Sequence, residues 1–323
     1  MMCLEVFSAW HASSICLFII ICILMQVINA AKLSNKYYPK GVDYFEHEFP
    51  SILADEYNPL DVTKQQSNFD YFDEPETKPQ LFQGDIAIDP FTYISFRLGV
   101  NPMKHPNRLW PNATIPYEIS YLYTDYERKT ILKALNTFNS LTCIKFVPYD
   151  GEVDDYLLIT PPEDGPKGCW SYVGKKGGEQ IVSLQTADEK SAHCFSSEGR
   201  IMHELMHAIG IYHEQSRADR DNYVKVHWEN IVPKFRKNFK LISRKRGKYA
   251  FDYDYNSVMH YGEYYFSKKK GKKPTLTPLQ PGVRIGQRKT LSKTDCLKIN
   301  DLYGCLRGRH AKMFKSFCHL LGL

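Results

Sequence analysis

Ile201-Met202-His203-Glu204-Leu205-Met206-His207-Ala208-Ile209-Gly210-Ile211-Tyr212-His213 is the stretch from which this chain of 323 residues is best read. At about 100° per residue, His203 and His207 fall roughly 40° apart on one side of a helix, and Ile201, Leu205, Ala208 and Ile209 gather on the other. The apolar face packs; the imidazole face looks outward. Two imidazoles one turn apart can both reach a metal at roughly 2.0–2.1 Å, and a third ligand must come from chain that has left the helix axis. Gly210 sits where a helix-ending residue of positive φ belongs, so the backbone can swing His213 to the same point. Three neutral nitrogens leave a dication's charge uncompensated and one position open to water, which is the catalytic rather than the structural pattern. Glu204 follows the first ligand and can touch that water without binding the metal, so it is the candidate general base. A bare His-Glu-x-x-His arises by chance on amphipathic helices, but the added glycine and third histidine make chance a poor account.

The long motif, followed by Glu214, resembles that of the astacin family of metzincin peptidases. Ser257-Val258-Met259-His260-Tyr261 resembles the same family's Met-turn. The resemblance implies one catalytic Zn2+ held by His203, His207 and His213. It also implies Glu204 as base, Met259 beneath the metal, and Tyr261 as a switchable fifth ligand that stabilises the oxyanion. The implied fold is α+β: a two-lobed metzincin-like domain with a mixed sheet and the zinc helix in the upper lobe. Its lower lobe would be mostly irregular and end in a helix. The likeness runs over 107–305 and, locally, over Phe82-Gln83-Gly84-Asp85-Ile86, which is similar to the family's pro-segment motif. By that resemblance Asp85 ligates zinc in place of water and keeps a zymogen silent, and Gly84 permits the close backbone approach. Glu214 would meet the N-terminus made by an activating protease, with the mature chain starting near Asn101. Ile285-Gly286-Gln287-Arg288 resembles a lower-lobe segment that sets an arginine beside the pocket just beyond the scissile bond. That implies protein or peptide substrates with Asp or Glu there; the competing reading leaves Arg288 in solvent.

Composition divides the chain further. The apolar run 15–25 is too short for a comfortable membrane span and suits a signal-peptide core, so 1–30 is read as a signal, with no stable membrane insertion after its removal. An uncleaved anchor is the alternative, because the preceding residues lack Lys and Arg and include Glu5. In 31–100, six basic and twelve acidic residues give −6, whereas 36 basic and 23 acidic residues in 101–323 give +13. Opposite signs draw the two together, so 31–100 is read as an acidic pro-segment with little structure of its own, draped over a catalytic domain at 101–305. Residues 306–323 form a short tail outside the resemblance.

Local patterns place the elements. Asp125 can cap a helix over 126–139 with Ile131, Leu135 and Phe138 on one face. Strands are expected at 144–147, 156–160 and 181–185, with glycine-rich connections from Gly165 to Gly178. Ser292 with Asp295 makes a capping box for a last helix carrying Cys296, Ile299 and Tyr303. Six cysteines remain after the signal, an even number that implies disulfides in an exported chain, and count alone allows fifteen pairings. The family resemblance selects Cys143 with Cys305 and Cys169 with Cys194. Cys296 and Cys318 either form a third bridge, or Cys296 is a buried thiol. Asn112-Ala113-Thr114 is the only N-glycosylation sequon.

The leading reading is a secreted zinc endopeptidase made as a zymogen. Its rival is a catalytically weak matrix-binding protein whose basic runs 234–248 and 268–273 hold acidic polymers; such runs are more often solvated faces. No nucleic-acid partner is expected, because the basic charge comes with export and disulfides and without a reading motif.

Overall fold

The structure, a computed structural model, describes residues 75–78, 80–97, 105–162, 166–187, 193–242 and 250–322, all within one compact unit. The expected signal 1–30, the acidic stretch up to 74 and the cut near Asn101 lie outside the described residues. No described helix is long and apolar enough to cross a membrane.

A six-stranded sheet forms the upper lobe: β1 (Ile86–Ala87), β2 (Thr114–Ile119), β3 (Lys145–Pro148), β4 (Tyr156–Thr160), β5 (Cys169–Tyr172) and β6 (Glu179–Leu184), in the order β1-β5-β6-β4-β2-β3. Every pairing is parallel except β5 with β6, so the sheet is mixed. The described end of the acidic segment, 75–97, is therefore part of the fold: it adds the edge strand β1 beside β5, then forms helix α1 (Pro90–Arg97). Over these residues the chain has more regular structure than expected. Arg108, buried at 4% exposure, donates to Asp89 Oδ2 at 2.8 Å and to Val173 O at 2.8 Å, and so ties the segment to the domain by a desolvated pair.

Helix α2 (Asp125–Leu141) packs Ile131, Leu135 and Phe138 into the core, each at 1% exposure or less. Its cap is Thr124, not Asp125. The Thr124 hydroxyl accepts from the Glu127 N–H, and the Glu127 carboxylate accepts from the Thr124 N–H, so a reciprocal box supplants a lone carboxylate cap. The Gly165–Gly178 region is not only connection. It contains β5, whose Cys169 and Trp170 are buried and whose register sets Cys169 opposite Leu184. Strand β2 lies inside the sheet although Pro116 sits in it, and it was not expected.

Helix α3 (Glu198–Ile209) crosses beneath the sheet, and all its residues from Ile201 to Ile209 are buried. A second core, built from Phe235, Phe239, Tyr261, Tyr265, Phe266 and Leu276, belongs to the lower lobe with the two-stranded sheet β7 (Val224–Val226) and β8 (Leu276–Pro278). Helix α4 (Lys293–Leu302) carries the expected capping box on Ser292 and Asp295, with Cys296 and Ile299 buried and Tyr303 just past its end. The tail is not featureless: α5 (Ala311–His319) packs on α4, and Cys318 bonds to Cys296. Among the two readings of Cys296, the bridge holds. Cys143–Cys305 and Cys169–Cys194 complete the set, the former closing a separation of 162 residues.

Candidate metal centre

Asp85, His203, His207 and His213 converge so that one potential ligand atom from each lies within 4.8 Å of all the others, every one buried. His203 and His207 share a face of α3. The helix ends at Gly210, at φ +122°, where its N–H bonds back to Met206 O and His207 O and the chain turns toward His213. Trp110 Nε1 donates to Ala208 O at 2.9 Å and the Tyr303 hydroxyl to Ile209 O at 2.8 Å, so the last carbonyls of the helix are held from two sides.

The histidine tautomers follow from their partners. His203 Nδ1 lies 2.8 Å from Val258 O, His207 Nδ1 2.8 Å from Ile211 O, and His213 Nδ1 2.8 Å from Gln83 Oε1. A carbonyl oxygen only accepts, so each Nδ1 carries the proton and each Nε2 presents a bare lone pair. Those three lone pairs face Asp85 oxygens at 3.2, 3.7 and 3.1 Å from His203, His207 and His213. Acceptors facing acceptors repel unless a cation stands between them. One proton relieves only one of the three contacts: burial raises the Asp85 carboxyl to about 7, so it can carry that proton, while burial lowers the His203 ring to about 4 and the other two well below their usual range. Ligands at roughly 2.0–2.1 Å from a tetrahedral zinc stand about 3.3–3.4 Å apart, close to the 3.1–3.7 Å that separate the Asp85 oxygens from the three Nε2 atoms. His207 Nε2 and Asp85 Oδ1 are buried without a hydrogen-bond partner, as a site built for a metal requires. The residues fit a zinc ion.

Glu204 is fully buried on the same helix, and neither carboxylate oxygen has a partner. Burial, reinforced by the Asp85 carboxylate, pushes its pKa well above the usual range. Met259 is buried in the core shared with α3. The Met-turn is pinned from below: Asp295 Oδ1 accepts from the Ser257 hydroxyl at 2.6 Å and Oδ2 from the Val258 N–H at 2.8 Å, while Val258 O orients His203. Asp295, the N3 residue of the α4 capping box, thus supports a metal ligand through one intermediate, Val258. Tyr261 is buried, its ring centroid 4.8 Å from that of His213, and its hydroxyl donates to Gln83 O. Burial pushes the phenol well above its usual range, so it remains a donor.

Gly84, at φ +92°, carries the segment past Glu76 and Phe266, where a Cβ would stand 2.7 Å from Glu76 O. Glu214 is 3% exposed and paired already: Lys298 Nζ reaches Oε2 at 2.5 Å and Arg217 Nη1 reaches Oε1 at 3.0 Å, beside a cavity of about 330 Å³. Arg288 does not point to solvent; it is 8% exposed and ion-paired with Glu76 at 2.8 Å. Glu76 also takes Arg200 Nη1 at 3.0 Å. Glu76, Arg200, Tyr265 and Gln83 carry no role in the sequence reading. Gln83 stood inside the quoted motif; the other three have no local signature. Asn112 is exposed in the turn Pro111–Ala113.

A helix bearing three imidazole ligands and an unpartnered carboxylate, underpinned by a methionine turn in a two-lobed α+β domain, defines a zinc metalloendopeptidase catalytic unit. The profile of Astacin (peptidase family M12A) matches residues 102–304. The chain belongs to the astacin family, whose peptidases use one zinc ion. It is 36% identical over 304 residues to zinc metalloproteinase nas-13 of Caenorhabditis elegans, covering 90% of this chain and 64% of that protein. It is 44% identical over 233 residues to zinc metalloproteinase nas-4 of the same organism, covering 69% of each. Among solved structures, high choriolytic enzyme 1, a hatching enzyme zinc-protease from Oryzias latipes, is similar at 40% identity and a TM-score of 0.52, over 61% of this chain and 93% of that one.

Proposed function

We propose that the chain is the secreted zymogen of a zinc endopeptidase, in which 31–100 is a pro-segment that blocks the metal, 101–305 the catalytic domain and 306–323 a docked tail. One observation carries the reading: the Asp85 carboxylate stands among three bare Nε2 atoms, beside a Glu204 carboxylate that has nothing to bond. Zinc on His203, His207 and His213 would polarise a scissile carbonyl and acidify water at the position Asp85 fills. Glu204 accepts a proton from the attacking water and returns it to the leaving amine, a role its raised proton affinity suits. Tyr261 donates to the oxyanion once Gln83 O has left its hydroxyl.

Conversion to the active form requires a cut by another protease near Asn101 and withdrawal of 75–97. The new amino group then joins Glu214 beside Arg217 and Lys298. Arg288 selects an acidic residue after the scissile bond. Export is supported by the three disulfides and by the exposed sequon at Asn112. The matrix-binding alternative has no use for a buried carboxylate kept unbonded beside three metal ligands, so it is the weaker reading.

The test is Asp85→Ala in the full-length, zinc-loaded precursor. The uncut variant is expected to hydrolyse a quenched peptide well above the wild-type background and to lose that activity to a chelator. A variant as inert as the wild type would show that 75–97 silences by coverage, not by ligation.

A further inference from the structure

Nine residues before Asp85, the same segment delivers a second carboxylate. Glu76 is fully buried, and donors from three separate elements converge on it. Its Oε2 accepts from Arg288 Nε at 2.8 Å and from the Tyr265 hydroxyl at 2.7 Å, and its Oε1 accepts from Arg200 Nη1 at 3.0 Å. Arg200 lies on α3 three residues before the ligand His203, and Arg288 Nη1 is anchored on His260 O, next to Tyr261, at 2.9 Å. The donors thus border the metal centre on the Met-turn side. The segment makes a turn there, with the Lys78 N–H on Gly84 O at 2.7 Å, and that turn aims Glu76 and Asp85 at neighbouring positively charged sites.

Two details mark a pocket for carboxylates in general rather than a contact made for Glu76. First, the guanidinium of Arg288 presents Nε and Nη2 along one edge, the fork that takes a carboxylate with both oxygens. Glu76 uses only Nε, because its other oxygen is drawn to Arg200, and Nη2 is buried without a partner. Second, with Glu76 withdrawn, two guanidinium groups at low exposure would share a site without an anion. Buried charge of one sign is costly until a counter-charge arrives.

We propose that Glu76 is a second latch of the pro-segment: in the uncut chain it occupies a carboxylate pocket made by Arg288, Arg200 and Tyr265, which the active enzyme uses to take an acidic substrate side chain. The proposal rests on the zymogen reading above. It adds Arg200 and Tyr265 to Arg288 as specificity determinants, and it makes inhibition bidentate, one carboxylate on the metal and one in the pocket. The two contacts act together: without Asp85 the metal position is open to water, and without Glu76 the segment opens more often.

The experiment uses the full-length, zinc-loaded chain. Glu76→Gln keeps the shape and removes the charge. Hydrogen exchange of residues 76–87 in the uncut chain is expected to accelerate at least tenfold, as for loss of one member of a buried hydrogen-bonded charge pair. In an Arg288→Gln background the same substitution is expected to add less than about twofold, because the pair is already broken. Unchanged exchange in Glu76→Gln, or its full effect in the Arg288→Gln background, would overturn the latch. After activation, Tyr265→Phe and Arg200→Gln should each lower the ratio of kcat/KM for peptides with Glu against Gln after the cut, by roughly three- to tenfold for the loss of one hydrogen bond to a charged group. Ratios equal to wild type in both variants would remove the shared pocket. Failure of the zymogen reading is separately visible: a silent Asp85→Ala precursor sinks metal blocking, while the exchange coupling between Glu76 and Arg288 is read without any turnover.

Discussion

Gly199→Ala sets two physical effects against each other, and the structure decides between them. Gly199 is the second residue of the helix that carries His203 and His207, where alanine would ordinarily stabilise by about 1 kcal/mol through helix propensity. A Cβ built there would stand 2.1 Å from the carbonyl carbon of Arg288, 2.2 Å from its oxygen and 2.6 Å from the Lys289 nitrogen. All three are backbone atoms, so no side-chain rotation relieves the contact. Ordinary contact begins at 3.4 Å, and the Arg288 backbone must therefore retreat by about 3.4 − 2.1 = 1.3 Å. Overpacking of this kind costs about 1–3 kcal/mol, and more where backbone resists, so the net expectation is a loss of about 1–2 kcal/mol and of about 2–8 °C in Tm. The functional consequence is larger than the stability change. The guanidinium would move off Glu76 Oε2 and His260 O, and a misplacement near 1 Å can cost about a hundredfold in rate. The assay pairs thermal unfolding of the zinc-loaded chain with kcat/KM of the activated enzyme on matched peptides bearing Glu or Gln after the cut. A Gly199→Ala protein at least as stable as wild type, with an unaltered preference between those peptides, would refute the close packing of α3 on the Arg288 backbone.

Glu204→Gln is expected to retain zinc by metal analysis yet lose about 10²–10⁴ in kcat, because an amide cannot accept the proton; turnover near wild type in a metal-loaded variant would end its role as base. His203→Ala, by contrast, is expected to lose the metal together with the activity. Replacing Cys296 and Cys318 together by serine opens a loop spanning 22 residues. The chain-entropy relation gives about 3 kcal/mol for it, hence a fall of about 6–12 °C in Tm by calorimetry of the full chain, and an unshifted transition would mean that α5 contributes nothing to the fold.

The metal ligands are legible in the sequence because their geometry is local. One helical turn separates His203 from His207, and one glycine cap brings His213 around, so spacing alone carries the site. The capping box on Ser292 and Asp295 is legible for the same reason, although its second task, holding Ser257 and Val258, is not. Elements were hidden wherever local signals conflict with tertiary demand. Pro116 reads as a strand breaker, yet it lies in interior strand β2 opposite Val147. Glycines around Cys169–Tyr172 read as loop, yet burial against β6 and a disulfide make it a strand. Helix α5 starts at Ala311, and its N-cap His310 makes no side-chain cap, so nothing in the tail announces it.

The contacts that hold 75–97 on the domain are hidden for a different reason. A charge of −6 facing +13 establishes the sign of the attraction between the two parts of the chain, but not where it acts. Glu76 is one acidic residue of twelve in its segment, and its partners Arg200 and Arg288 lie 124 and 212 residues away, beyond any periodicity. What singles it out is desolvation, which exists only in the folded chain. Burial alone would raise the Glu76 carboxyl, but Arg288 and then Arg200 hold it well below the usual carboxylate range. A carboxylate so held contributes stability that is present above its unfolded pKa near 4.5 and is lost only as pH falls toward its depressed folded value. In the latch proposed above, Glu76 therefore stays charged throughout mildly acidic and neutral conditions, and a change of pH within that range leaves its pairing with Arg288 and Arg200 intact.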